Sequence, residues 1–221
     1  MIYVAGLDLG QAQDYSAMVI IEARGTDRAA ERVRVEGLPL TRLDIRHIER
    51  FPLGTKYRQI AVDVGARLRR VPRPCYLVVD QTGVGNGVIE LLAHLSPIGV
   101  TITAGAEVQE GNGPQDYRVP KRDLVARLQV GLQNGVFRIA QGLPHAEILT
   151  RELLNFRAKI SLAGHDTYEA WRESDHDDLV LAAGLASWGA NLIFAMWQLQ
   201  AQQRLAREAA ADSLSGSISP I

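Results

Sequence analysis

Apolar and polar positions change period several times along this chain, and each change marks an element. Residues 2–9 alternate loosely and end in Asp8-Leu9-Gly10, and residues 16–23 form a second such run, close enough for a hairpin. A third strand is expected over 32–37, continuing near 40–44, so the chain opens as an antiparallel meander. The period then becomes helical. Tyr57, Ile60, Ala61, Val64 and Leu68 share one face of a helix predicted over 55–70, which Pro72 and Pro74 stop. Residues 75–80 are apolar up to Asp80, as in a strand buried on both faces. Gly83, Gly85 and Gly87 predict a turn before a helix over 88–95, and 100–103 reads as another short strand. Residues 105–118 are rich in Gly, Asn, Gln and Asp and predict a mobile loop. Leu124, Leu128 and Leu132 mark a helix over 120–134, with Gly135 as its C-terminal cap.

An extended piece at 136–140 and a helix over 146–157 come next, then a polar stretch over 158–174 with room for a hairpin. The last core helix is expected to begin near Asp177, capped by Ser174 or Asp175, and to end near Trp188. A further helix over 192–211 and a disordered tail follow. The order predicts an α/β fold: a mixed sheet with an antiparallel three-strand meander, then α/β crossovers with helices on both faces. The domain is expected over 1–190, a C-terminal helical extension over 191–212 and a disordered tail over 213–221.

Composition narrows this little. The 221 residues are 47% hydrophobic and 22% charged, ordinary for a globular domain able to bury a core unaided. Cys75 is the single cysteine, so no intramolecular disulfide forms. No basic stretch followed by an apolar signal segment opens the chain, and the most apolar stretch, 179–197, is interrupted by Ser187, Gly189 and Asn191 and reads as a core helix. A cytoplasmic protein is expected. The net charge of −1 does not by itself point to nucleic acid, but two basic clusters stand out: Arg67, Arg69, Arg70 and Arg73, then Lys121, Arg122 and Arg127.

Asp8, Asp80 and the pair Asp177-Asp178 change the picture. Each stands at the end or start of an apolar element, where an unneutralised carboxylate is costly. Strands ending in Asp8 and Asp80 can be neighbours, and a helix opening at Asp177-Asp178 can approach them with its positive end. Such oxygens suit Mg²⁺ or Mn²⁺, and two ions about 3.5–4 Å apart can clamp the attacking water and the leaving oxygen of a phosphodiester.

These residues resemble the nuclease domain of the large terminase subunit of tailed bacteriophages, a ribonuclease H-like fold. The resemblance rests on Asp8-Leu9-Gly10 with Asp14-Tyr15-Ser16, Asp80-Gln81-Thr82-Gly83-Val84-Gly85, Lys121-Arg122 leading to Asn134-Gly135, and His176-Asp177-Asp178. It spans roughly residues 3–190. It implies a metal-dependent endonuclease acting on double-stranded DNA in genome packaging, in the cytoplasm of an infected or lysogenic bacterial host. Asp8, Asp80 and Asp177 match the core ligands of two Mg²⁺ or Mn²⁺ ions and Asp178 a fourth carboxylate. Asp14 matches an accessory acid, and Lys121 a contact to phosphate or to a ligand carboxylate. Arg67, Arg69, Arg70, Lys121, Arg122 and Arg127 are the candidate DNA contacts. Portal, small terminase and an ATPase motor are the implied partners. The chain contains no Gly-x-x-x-x-Gly-Lys-Ser/Thr, so translocation is not expected of it.

Two other readings remain open at this level. A Holliday-junction resolvase shares fold and metal chemistry. An actin-like or sugar-kinase-type lobe also begins with a strand ending Asp-x-Gly, but requires no late Asp-Asp.

Overall fold

In the computed structural model, which describes residues 1–10, 14–25, 40–84, 86–162 and 177–215, the sheet grows outward from its first strand. β1 (Ile2–Asp8) pairs antiparallel with β2 (Ala17–Gly25), which pairs antiparallel with β3 (Leu40–Arg50). On its other side β1 pairs parallel with β4 (Cys75–Asp80), reached through α1 (Tyr57–Leu68). Then come α2 (Asn86–Leu92), a 3₁₀ turn at Ala93–Leu95, β5 (Ile98–Thr103), β6 (Gln109–Glu110), β7 (Asp116–Pro120), α3 (Lys121–Gln133), β8 (Phe137–Ile139), α4 (Ala146–Leu162) and α5 (Asp178–Ser215). The strand order is β6-β7-β5-β4-β1-β2-β3-β8. The expected meander and crossovers are therefore present, with helices on both faces.

Side-chain alternation splits the core. Val4, Val19, Ile21 and Val78 face α3, α4 and α5, whereas Ala5, Leu7, Met18, Ile20 and Val79 face α1 and α2. α5 lies directly across β1, β2 and β4. Gly6 permits this approach, because a Cβ there would collide with the carbonyl of Ala182. Gly189 does the same against Val78 and Val4.

α5 also differs from expectation: one helix of 38 residues replaces the two predicted. The small residues read as a break are close-packing positions, and Asn191 returns its amide to the carbonyl of Ser187 at 2.9 Å. α5 has the length and composition of a membrane span, yet 72% of its most apolar window is buried in this fold, as a core helix requires. The expected loop at 105–118 contains β6 and the start of β7, whose polar side chains hide an edge hairpin from a hydropathy reading. β3 runs six residues past the expected end at 44. Gly135 does end α3, with φ +65° and its N–H on the carbonyl of Leu132 at 3.1 Å. Of the polar stretch over 158–174 expected to hold a hairpin, residues 158–162 belong instead to α4, which runs past its expected end at 157; the rest of that stretch, the strand expected over 32–37 and the caps Ser174 and Asp175 lie outside the described residues.

Candidate active site

The parallel register pairs Leu7 with Val79, so the next residues, Asp8 and Asp80, end adjacent strands side by side. Both follow the alternation of Val4 and Val78 onto the α5 face. Across β1 the same row continues from Asp8 to Ala17 and from Ala17 to Arg50. Arg50 reaches this face through an irregularity in β3. Ile20 pairs with His47 and Ile21 with Ile45, leaving Arg46 as the extra residue of a bulge. Ile45 and Ile48, three apart, are thereby both buried beneath α4 and α5, and Arg50 follows Ile48.

Asp8 and Asp80 are each only 8% exposed, and their carboxyls share a hydrogen bond. Burial pushes Asp8 well above the ordinary carboxylate range, and the charges of Asp80, Asp177 and Asp178 push it further. Burial raises Asp80 as well, against the bonds from Thr82 and Asp8 and the charge of Lys121. Thr82 fixes Asp80 Oδ1 through its backbone N–H at 2.8 Å and its hydroxyl at 2.5 Å, and the same hydroxyl accepts from the N–H of Ile102 at 2.8 Å. The Asp-x-Thr spacing is a local turn signal that could have singled out Thr82.

The start of α5 brings up the other two acids. Lys121 Nζ, at the start of α3, donates to Asp177 Oδ2 at 2.6 Å. Arg50 holds Asp178 with both edges of its fork, Nε to Oδ2 at 2.8 Å and Nη2 to Oδ1 at 3.0 Å. Its Nη2 also donates to Glu152 Oε1, and the ring of Tyr15 lies 4.7 Å beneath the guanidinium. Glu152 Oε2 accepts the N–H of Val180 at 3.1 Å. Burial and then the charge of Asp178 push Glu152 up to about 8, against Arg50. Arg50 and Glu152 were missed in the sequence. Arg50 lies past the expected strand end; Glu152 gave a usable signal, being an acid beside Leu149 and Leu153 on the apolar stripe of its helix.

The remaining candidates scatter. Asp14 is exposed on the β1–β2 loop, which is pinned by Gly10 N–H on Ser16 Oγ at 3.0 Å and by the Tyr57 hydroxyl on Gly10 O at 2.9 Å. Arg67, Arg69 and Arg70 belong to α1 and the turn after it, on the sheet face away from the carboxylates. Arg67 is committed to Glu49 by two bonds of 3.0 Å, and Arg69 lines a groove with Arg58 and His94 between α1 and the helical turn after α2. Arg122 and Arg127 are exposed on α3, the helix that Lys121 opens, on the carboxylate side. His176 lies outside the described residues.

Comparison of the fold with solved structures gives the large terminase nuclease of the thermophilic phage G20c, at TM-score 0.51 and 19% identity, covering 84% of this chain and 80% of that one. The two share the ribonuclease H-like fold. More distant matches are the human cytomegalovirus terminase nuclease domain (TM-score 0.43, 13% identity, 84% of this chain and 81% of that one) and the fowlpox virus Holliday junction resolvase (0.34, 10%, 86% and 98%). Neither a family model nor a curated protein matches the sequence.

Among the described residues, no three His, Cys, Asp or Glu side chains gather around one point as metal ligands. The oxygens that do converge are those of Asp8 and Asp80, while Asp177 and Asp178 are engaged by Lys121 and Arg50. The pair nevertheless fits a hard dication. Two buried carboxyls on adjacent strand ends, both raised by burial and with Asp8 pushed further by the charge of Asp80, are the donor set that Mg²⁺ or Mn²⁺ neutralises. Asp177 stands over the same edge on Lys121, and Asp178 is held by Arg50 on both oxygens, each of which keeps a further lone pair.

Proposed function

We propose that this chain is a metal-dependent endonuclease that hydrolyses phosphodiester bonds of double-stranded DNA, as a packaging-type terminase nuclease does. The observation that carries this reading is the buried pair Asp8–Asp80, hydrogen-bonded at the ends of adjacent parallel strands, with Asp177 held over the same edge by Lys121. The fold shared with the phage nuclease supports it. Asp8, Asp80 and Asp177 would hold two Mg²⁺ or Mn²⁺ ions, which would supply an activated water and stabilisation of the leaving oxygen.

The chain's own residues prepare the rest. Thr82 orients Asp80, Lys121 balances the acidic pocket before DNA arrives, and Arg122 and Arg127 contact phosphates on the α3 side. Arg67, Arg69 and Arg70 face away from the carboxylates, and we assign them no part in cleavage. The packaging partners and the cytoplasm of a bacterial host follow from the same analogy.

The test is nicking of plasmid DNA in Mn²⁺, Mg²⁺ or EDTA by wild type, Asp8→Asn, Asp80→Asn and Asp177→Asn. Cleavage in metal alone, lost in each variant, is the expected result. Full activity in any folded variant removes that residue from the mechanism. Preference for a four-way junction over linear duplex transfers the chemistry to a resolvase.

A further inference from the structure

Asp177 occupies the N-cap of α5, since its carbonyl accepts the first helical bond, from Leu181 N–H at 2.9 Å. An aspartate at that position ordinarily folds its carboxylate onto the N–H two or three residues on, because the first turn of a helix leaves those donors without partners. Here the donor three residues on, Val180 N–H, is already taken. Glu152 accepts it at 3.1 Å from α4, a separate helix, 28 positions earlier in the chain. Asp177 is left turned the other way, onto Lys121 at 2.6 Å. Arg50 completes the arrangement by joining Glu152 and Asp178 to one guanidinium, itself only 12% exposed.

We propose that Glu152, held by Arg50, is a positioning residue that caps α5 in place of Asp177 and so delivers the Asp177 carboxylate to the Asp8–Asp80 pair. This inference rests on the reading of Asp177 as a metal ligand. It also divides the adjacent acids: Asp177 serves the metal, and Asp178 anchors the helix to the sheet through Arg50. An N-cap aspartate that capped its own helix would aim its oxygens at backbone N–H groups, away from the cations. Delegating the cap to a second helix removes that competition at Val180 N–H.

The experiment compares wild type with Glu152→Gln, which keeps an oxygen acceptor, and Glu152→Met, which keeps the volume but has no oxygen. The readout is the Mn²⁺ concentration giving half the maximal thermal shift, with crystal structures of both variants. A merely structural role lowers the melting temperature without moving that concentration. The expectation is wild-type half-saturation in Glu152→Gln and about a tenfold higher value in Glu152→Met, with the Asp177 carboxylate relocated onto Val180 N–H in the latter's crystal structure. Unchanged half-saturation in Glu152→Met, or Asp177 still on Lys121 in its crystal structure, overturns the proposal. If the Met variant does not fold, the Gln variant decides, because capping needs an acceptor but no charge. In its crystal structure the side-chain oxygen at 152 on Val180 N–H, with Asp177 on Lys121, supports the proposal, and Asp177 still on Lys121 with Val180 N–H released refutes it. Wild-type protein with neither thermal shift nor cleavage overturns the metal reading itself, and is seen before any substitution is made.

Discussion

Two pairs of buried acids lie on opposite faces of this sheet and are treated in opposite ways. On the α1 face, Glu22 and Asp44, in register on β2 and β3, are 4% and 5% exposed. Glu22 accepts from Arg24 at 2.7 Å, Arg46 at 2.9 Å and the hydroxyl of Tyr3 at 3.2 Å, and Asp44 accepts from Arg42 at 2.5 Å. Burial alone would raise Glu22, but its bonds to Arg24 and Arg46 outweigh burial and hold the carboxyl below its usual range. On the α5 face, Asp8 and Asp80 are each 8% exposed and, among the described residues, no arginine bonds either carboxylate, so burial prevails and both rise. The same sheet thus pairs one acidic couple with arginines and leaves the other raised by burial, as the proposed metal site requires. That contrast separates a structural cluster from a chemical one more sharply than acid content does.

Neutralising one acid in each pair tests the contrast most strongly. Asp8→Asn or Asp80→Asn should lower cleavage by roughly 10³-fold or more while raising the melting temperature of the metal-free protein, because a buried repulsion is relieved. Glu22→Gln should do the reverse, costing about 1–3 kcal/mol of stability and leaving cleavage within a few-fold of wild type. Plasmid nicking and thermal melts in EDTA measure both; a Glu22→Gln protein that is stable but inactive breaks the comparison.

Gly6→Ala asks whether α5 must sit as close to the carboxylate strands as it does. Its Cβ would enter the carbonyl of Ala182, so a loss of about 1–3 kcal/mol in denaturant melts is expected, with weakened Mn²⁺ binding as the start of α5 moves away.

The pairs also differ in pH dependence. Glu152, like Asp8, has a folded pKa above its unfolded value, so the native state holds protons that the unfolded chain releases. The stability contributed by Glu152 is complete below the ordinary glutamate value of 4.5 and is lost as pH rises to about 8. Metal-free melting temperature should therefore fall by a few degrees over that window, and Glu152→Gln should flatten the fall. Glu22, lowered in the fold, contributes stability above 4.5 that disappears as pH drops through its folded value, so Glu22→Gln should change the acid limb instead. A Glu152→Gln melt as steep as wild type would remove Glu152 from this account.

The smallest effect concerns DNA. Arg127→Ala, on the carboxylate side, should weaken duplex binding and reduce the salt slope by about one, whereas Arg70→Ala, on the far side, should change neither. Equal effects would mean that DNA wraps both faces.

Local periodicity in the sequence determined most of the elements and placed Asp8, Asp80 and Asp177 at element ends, because alternation and helical spacing are properties of neighbouring residues. The Asn134-Gly135 helix stop and the turn after Asp80 were legible for the same reason. The tertiary structure alone decided which acids are paired with cations. Arg50 meets Asp178 across 128 positions, and only because a bulge at Arg46 turns the end of β3 toward α5. Glu152 caps a helix that begins 26 residues later only because α4 packs against α5. No local pattern encodes such meetings, since their stability depends on burial shared between elements that the chain brings together only on folding.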